Sequence, residues 1–126
     1  MNDLPVAVGF GKGDDPIMVS NQEELDAALD ELDRRAREAD DVIIALLGTD
    51  IETMMTIGVG SNLVPVTYGY VRSRGSLPEG EPEEWRFMNT WNEISPTELV
   101  PAELAREAAR QWLVTGERPD NLVWTT

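Results

Sequence analysis

The chain has 126 residues, 24 of them acidic and 10 basic, which gives a formal net charge of −14. A field of this sign repels nucleic acids and anionic lipids and attracts basic partners, so the charge argues against nucleic-acid and membrane binding. The chain contains neither Cys nor His, which excludes zinc-thiolate sites, Cys nucleophiles and His general bases.

The length predicts one domain, residues 1–126, because single domains cluster around roughly 100 to 150 residues. No apolar run approaches the ~18 residues that cross a bilayer. The N-terminal segment also lacks the basic and apolar stretches of a secretory signal. We therefore expect a cytoplasmic protein that does not contact a membrane.

Two short β-type runs, residues 5–10 and 16–20, flank a glycine-rich segment that contains Lys12. A phosphate-binding loop needs a Gly-rich turn that leads from a strand directly into a helix. Here a second strand comes before any helix, and Asp14 and Asp15 would repel a phosphate. The pattern predicts a β-hairpin with Lys12 at its exposed tip.

Ser20 and Glu23 have the spacing of a capping box and predict a helix from about Asn21 to Ala39. Its apolar face comprises Leu25, Leu29, Leu32 and Ala36. Three oppositely charged pairs lie four residues apart on the other face: Asp30 with Arg34, Glu31 with Arg35, and Asp33 with Arg37. This charged face is expected to be solvated.

The middle of the chain is β-like. The apolar run 41–48 predicts a central strand buried on both faces, and the segments 52–60 and 63–73 predict two antiparallel neighbours. Alternation in the last segment would place Tyr68 and Tyr70 on one face.

Residues 74–84 carry two Gly, two Pro and four Glu, which predicts an exposed, mobile acidic loop. The segment 85–93 then predicts one further strand. Alternation along it places five side chains on one face: Trp85, Phe87, Asn89, Trp91 and Glu93.

A second helix is predicted to begin near Pro101 and to end at Gly116. Its inward side chains are expected to be Leu104, Ala105, Ala108, Trp112 and Leu113. The closing segment "NLVWTT" is β-like. Together these elements predict the α+β class: a mainly antiparallel sheet of about six to seven strands with two helices packed on one face.

Two carboxylate groupings, Asp40 with Asp41 and Asp50 with Glu52, are candidates for acid–base or Mg²⁺ chemistry. Both fall where the chain turns between elements, which is an ordinary place for solvated acids. We therefore expect no catalytic residue, no cofactor and no metal site.

The tryptophans are candidates for core packing or for contact with a partner. Trp112 and Trp124 fall on inward positions and are expected in the core. For Trp85 and Trp91 both alternatives stay open, because they share a predicted sheet face with Glu93 beside the acidic loop. Interfaces favour Tyr and Trp that anchor in a partner.

The segment "NTWNEISPTELVPAELAREAARQWLVTGERPDNLVW", residues 89–124, resembles the C-terminal signature of a family of bacterial immunity proteins. These proteins occur in polymorphic toxin systems, best known beside nucleic-acid deaminase toxins. The matching elements are the Trp91 and Glu93 segment, Pro101, Trp112, the "TGERP" turn 115–119, and Trp124.

The resemblance implies a non-enzymatic protein that neutralises a cognate toxin, and an acidic surface suits a basic, nucleic-acid-binding enzyme. We predict that the toxin-binding residues are Tyr68, Tyr70, Glu79, Glu81, Glu83, Glu84, Trp85, Trp91 and Glu93. Two alternatives remain: an acidic adaptor or chaperone for a basic protein, and a carboxylate-dependent enzyme that uses Asp50 or Glu52.

Overall fold

The computed structural model describes residues 3–11, 15–88 and 90–125. Two helices, α1 (Gln22–Glu38) and α2 (Ala102–Thr115), accompany a large sheet. Its strands are β1 (Val6–Gly9), β2 (Ile17–Val19), β3 (Ile43–Leu47), β4 (Met55–Val59), β5 (Leu63–Tyr68), β6 (Val71–Arg74), β7 (Glu83–Phe87), β8 (Thr90–Ile94), β9 (Leu99–Pro101) and β10 (Val123–Thr125). The predicted α+β class is confirmed.

Strand pairing is antiparallel along the main path of the sheet, which runs β10-β6-β5-β4-β3-β1-β2. The predicted central strand β3 pairs with β4 and β1, and β4 pairs with β5, as expected. The hairpin β7–β8 joins this sheet at one parallel position, where Ile43 pairs with Arg86. Strand β9 pairs with the first half of β5.

The strand count exceeds the predicted six to seven because two predicted strands are each folded into a hairpin. Residues 63–73 bend at Gly69 and Tyr70 into β5 and β6, and residues 85–93 bend after Phe87 into β7 and β8. Strand β7 also begins at Glu83, inside the segment predicted as a loop. The short strand β9 adds to the count.

Helix α1 buries the predicted apolar face, Leu25, Leu29, Leu32 and Ala36, together with Ala28. The predicted capping box is wrong by one residue. The Asn21 side chain, not that of Ser20, accepts a hydrogen bond from the Glu24 amide, and the Glu24 carboxylate accepts one from the Ser20 amide. The predicted helix and its cap therefore exist, but with the capping contacts shifted toward the C-terminus.

Helix α2 ends at Gly116, whose φ of 72° is the left-handed conformation expected at such a stop. Trp112 is in the core, as predicted, whereas Leu104 is exposed and not inward. Trp124 is half-buried at the edge of the core, and its indole N–H donates to the Pro119 carbonyl at 2.8 Å. The motif residues at this end of the chain thus stabilise the fold.

The main core lies between the helices and one face of the sheet. Strand register places Ala45, Leu47, Met55, Ile57 and Val59 on that face. Both helices pack there side by side, so the predicted arrangement of two helices on one face is confirmed.

The second face of the sheet is covered in part by the hairpin β7–β8. Trp85 is fully buried there, and a Cβ built at Gly58 would lie 2.6 Å from Trp85 Cζ3 and from Pro65 Cδ. Glycine at position 58 therefore allows the indole to lie directly on the backbone of β4.

The antiparallel pairing of β1 with β2 agrees with the strand–turn–strand interpretation of the N-terminus, and α1 follows β2. Lys12, Gly13 and Asp14 lie outside the described residues, so the predicted position of Lys12 at the tip stays a prediction. In the part of the chain that the structure describes, neither helix is long and apolar enough to cross a bilayer.

Candidate functional site

The four aromatic residues predicted to bind the toxin are dispersed over three parts of the molecule. Trp85 is buried on the inner side of the β7–β8 hairpin, whereas Trp91 on its outer side is 50% exposed. Tyr68 is half-buried on the helix side of the sheet, where its hydroxyl donates to the Gly116 carbonyl at 3.3 Å. Tyr70 is exposed in the turn between β5 and β6. The predicted shared face of Trp85 and Trp91 is therefore wrong, and Tyr70 lies in a turn and not beside Tyr68 on a strand face.

Tyr70 and Trp91 lie toward opposite ends of β4. The Gly69 amide, next to Tyr70, donates to the Met54 carbonyl just before β4. Gly60, just after β4, lines a cleft together with Trp91. The six residue steps from Met54 to Gly60 span roughly 20 Å at about 3.3 Å per step. A small contact patch centred on Trp91 therefore does not reach Tyr70.

The exposed side of the β7–β8 hairpin combines one aromatic, one cation and two acids. Register pairs Glu84 with Glu93 and Arg86 with Trp91 directly across the two strands. Because directly opposed residues point to the same side of an antiparallel pair, these four side chains form one surface. We call the surface of Glu84, Arg86, Trp91 and Glu93 the outer hairpin face.

Arg86 connects the Trp91 ring of this face to Asp41. Its guanidinium carbon lies 4.4 Å from the centroid of the Trp91 ring, a cation–π contact. Its Nε donates to Asp41 Oδ2 at 2.7 Å, and its backbone amide donates to the Val42 carbonyl at 3.0 Å. The side chain of Arg86 is thus fixed between a carboxylate and an indole, which holds the exposed Trp91 in one orientation.

A polar cleft of about 580 Å³ adjoins the outer hairpin face. It lies between the hairpin and the C-terminal end of α1, and its lining residues are Arg37, Asp40, Asp41, Val42, Gly60, Glu84 and Trp91. Carboxylates outnumber the single arginine of this lining, so the cleft suits a cationic side chain of a partner.

The acids of the helices are largely neutralised by arginines. Arg110 pairs with Asp26 at 3.1 Å, and Arg106 pairs with Asp30 at 2.8 Å, so α2 is joined to α1 by charge. The predicted pair of Asp30 with Arg34 is replaced by this interhelical contact, because Arg34 pairs with Glu31 and Glu38 within α1. The hydrogen bond from Arg34 holds the pKa of Glu31 below its usual value.

The acids of the β7–β8 hairpin and of the loop before it differ from the helix acids in their pairing with basic residues. Within the described residues no ion pair involves Glu79, Glu81, Glu83, Glu84 or Glu93, and all five are exposed. Glu84 and Glu93 are moreover directly opposed, and like charges in this position destabilise a sheet. The two acids that share the outer hairpin face with Trp91, Glu84 and Glu93, are therefore without an ion pair in the described residues, whereas most acids of α1 are paired.

The two carboxylate groupings considered for catalysis have structural contacts. Asp41 pairs with Arg86, and Asp50 Oδ1 accepts a hydrogen bond from the Glu52 amide at 3.0 Å in a local turn. Among the described residues no group of three or more acidic side chains is arranged to hold a metal ion.

The sequence interpretation did not identify Arg86 and Asp41 as parts of this site. The two residues are 45 positions apart in the chain and meet only because β7 pairs with β3. One feature of the sequence does mark Arg86: it is the one basic residue among the acids and aromatics of residues 79–93.

The family model described as "Immunity protein Imm1" matches residues 13–126 and so covers most of the chain. A search of curated proteins finds no match.

Proposed function

The chain belongs to the Imm1 family of immunity proteins, and from this premise we propose that it binds a cognate bacterial toxin and neutralises it. The toxin is proposed to be a nucleic-acid-targeting deaminase of a polymorphic toxin system. The inhibitor acts in the cytoplasm by stoichiometric binding, without catalysis, cofactor or metal.

Inhibition requires only that the chain cover the active site or the path of the substrate. A deaminase that acts on nucleic acid must attract phosphates and extrude a base into its pocket, so its substrate path is cationic. An acidic surface competes for the same cations. The same negative charge keeps the inhibitor itself from binding nucleic acid.

The observation that supports the location of the interface is the uncompensated charge around one exposed aromatic. Trp91 is 50% exposed and held by Arg86, while the neighbouring Glu84 and Glu93 have no ion pair within the described residues. A fixed aromatic surrounded by free carboxylates matches the combination of anchor and steering charge found in protein interfaces.

The predicted toxin-binding residues take different roles in this proposal. Trp91 is the anchor, and the acids that steer the toxin are Glu79, Glu81, Glu83, Glu84 and Glu93. Tyr70 and Trp91 lie toward opposite ends of β4, so Tyr70 contacts the toxin only if the toxin extends along the length of that strand. Trp85 and Tyr68 support the fold below the surface, because one is fully buried and the other is bonded to Gly116.

The test uses the toxin domain encoded by the gene adjacent to that of this chain. Isothermal titration calorimetry should give a 1:1 complex, and a deamination assay on single-stranded DNA and RNA should lose activity in proportion to the amount of inhibitor. An absence of binding contradicts the proposal. Binding that leaves full deamination activity would favour the adaptor or chaperone alternative.

A further inference from the structure

A second, apolar cleft of about 560 Å³ opens under the tip of the β7–β8 hairpin. We call it the apolar cleft, and its main lining residues are Gly9, Gly11, Leu46, Met54, Phe87 and Met88. It lies on the second face of the sheet, away from the helices, between the ends of β1 and β3 and the hairpin tip. Ile51 stands at its mouth with 59% of its surface exposed.

The walls of the apolar cleft are made of small and adaptable residues. A Cβ built at Gly11 would lie 2.8 Å from Leu46 Cδ1 and 3.0 Å from Met88 Cγ, so these side chains lie directly on the glycine backbone. Met54 and Met88 contribute flexible, polarisable thioethers, which adapt to the shape of an inserted group. The cleft is therefore suited to receive an apolar side chain.

Met88 occupies its position at a conformational cost. Its φ is 52°, the left-handed region that glycine adopts freely and that L-residues with a side chain adopt reluctantly. A glycine there would suit the backbone of the turn between β7 and β8 better. The strained methionine is instead 41% exposed and lines the cleft, and such strain is concentrated at functional sites.

The charge at the mouth of the apolar cleft indicates the kind of partner that binds there. Asp15, Asp50 and Glu52 are exposed next to residues that line the cleft, and none of them has an ion pair in the described part of the chain. No lysine or arginine is present among the described lining residues. A second copy of this chain, with its net charge of −14, would bring acid against acid.

A small free ligand fits less well than a protein side chain. Binding sites for small molecules carry a few placed polar groups that fix the orientation of the ligand. Thr49 is the one polar side chain among the described lining residues. A protein segment needs no such groups, because its orientation is fixed by contacts elsewhere in the interface.

We propose that the apolar cleft binds a large apolar side chain of the cognate toxin, from a segment in which lysine or arginine flanks that side chain. This inference rests on the proposed function and adds a second contact, separate from the outer hairpin face. Toxin cations pair with the acids at the mouth while the apolar group enters the cleft that Leu46 and Met88 line.

Two substitutions change the cleft without requiring a change of fold. A Cβ at Gly9 would meet Pro16 at ordinary contact distances of 3.4 and 3.8 Å, and the backbone of Gly9 is not left-handed. We therefore expect Gly9→Leu to fill the cleft without backbone strain. Met88→Gly removes the wall and relieves the left-handed backbone. We expect each variant to bind the toxin domain at least tenfold more weakly in surface plasmon resonance. Met88→Gly should melt at the same temperature as the parent or higher.

Ile51→Ser at the mouth has a matched control in Val114→Ser. The two side chains are similarly exposed, at 59% and 56%, but Val114 lies on α2 away from the cleft. Ile51→Ser should weaken binding, and Val114→Ser should not. A photo-crosslinking amino acid at position 51 should join to a toxin residue beside a lysine or arginine.

The outcomes separate this inference from the proposed function. If the parent protein neither binds nor inhibits the toxin domain, the proposed function itself fails. If folded Met88→Gly and Ile51→Ser bind as tightly as the parent while Trp91→Ala does not, the proposed function stands and the apolar cleft is overturned as a contact. If Gly9→Leu does not fold, Met88→Gly and Ile51→Ser still test whether the apolar cleft contacts the toxin.

Discussion

The guanidinium of Arg86 stacks on the ring of Trp91 at 4.4 Å while its Nε is held by Asp41 at 2.7 Å. An exposed tryptophan that is already held in one orientation loses little conformational freedom when it binds. The arrangement therefore prepares Trp91 for contact before a partner arrives.

Trp91→Ala should weaken toxin binding by about 2 kcal/mol or more, roughly thirtyfold, through faster dissociation at any salt concentration. Because half of the side chain is exposed, the thermal midpoint should change little. Surface plasmon resonance and thermal unfolding measure the two effects. Tyr70→Ala is the comparison, since Tyr70 is more exposed but lies toward the other end of β4. Parent-like binding by folded Trp91→Ala would place the anchor elsewhere.

Changing Glu79, Glu81, Glu83 and Glu84 to glutamine should slow association with the toxin at low salt. The effect should fade above ~0.5 M salt, where screening is nearly complete beyond a few ångströms. A matched control neutralises four other exposed acids: Asp3, Glu23, Glu117 and Asp120. The net charge changes equally in both variants. If both slow association equally, only the total charge matters and the location of these acids in the hairpin and its preceding loop does not.

Glu84→Gln alone should stabilise the fold by about 0.2 to 1 kcal/mol, because it removes the like-charge contact with Glu93 across β7 and β8. The same change should slow toxin association. Urea denaturation measures the stability. A lowered midpoint would show that Glu84 makes a favourable contact in the folded protein and would contradict the interpretation of a charge retained for binding.

Gly58→Ala should cost about 1 to 3 kcal/mol of stability, because the new methyl group would lie 2.6 Å from both Trp85 and Pro65 in a packed interior. Gly9→Ala is the matched control, since its methyl group meets only ordinary contacts at 3.4 Å and beyond. Denaturant midpoints of the two variants should differ clearly. Equal midpoints would mean that Trp85 can move away from β4 at little cost.

Trp85→Ala should cost about 3 to 5 kcal/mol through the cavity it leaves, a large part of the stability of an ordinary domain. Trp124→Ala should cost less, because Trp124 is half-buried at the edge of the core. Denaturation of both variants tests the order of the two costs. The reverse order would show that the terminal strand β10 contributes more to the fold than the hairpin does.

Local sequence signals predicted both helices well. The apolar spacing of α1, the proline before α2 and the left-handed Gly116 at its end act within a few residues of where they occur. The strand β3 is predicted for the same reason, since a continuous apolar run needs no distant partner to be recognised. The family resemblance at the C-terminus also depends on such local motifs.

The predicted shared face of Trp85 and Trp91 failed because alternation along a chain does not reveal where the chain reverses direction. In a continuous strand Trp85 and Trp91 are an even number of residues apart and share a face. In the hairpin, Trp85 pairs with Asn92 and Trp91 pairs with Arg86, so the two tryptophans point to opposite faces. The turn begins at Met88, a residue that gives no turn signal in the sequence.

The sequence by itself determined the class of the fold, the two helices, the acidic character and the family, because each depends on composition or on neighbours along the chain. Only the tertiary structure decided which tryptophan is buried, which acids remain free of arginine, and that Asp41 meets Arg86 across 45 residues. These features depend on strand register and on contacts between distant segments. Burial and charge pairing are properties of the packed molecule, and no local pattern carries them.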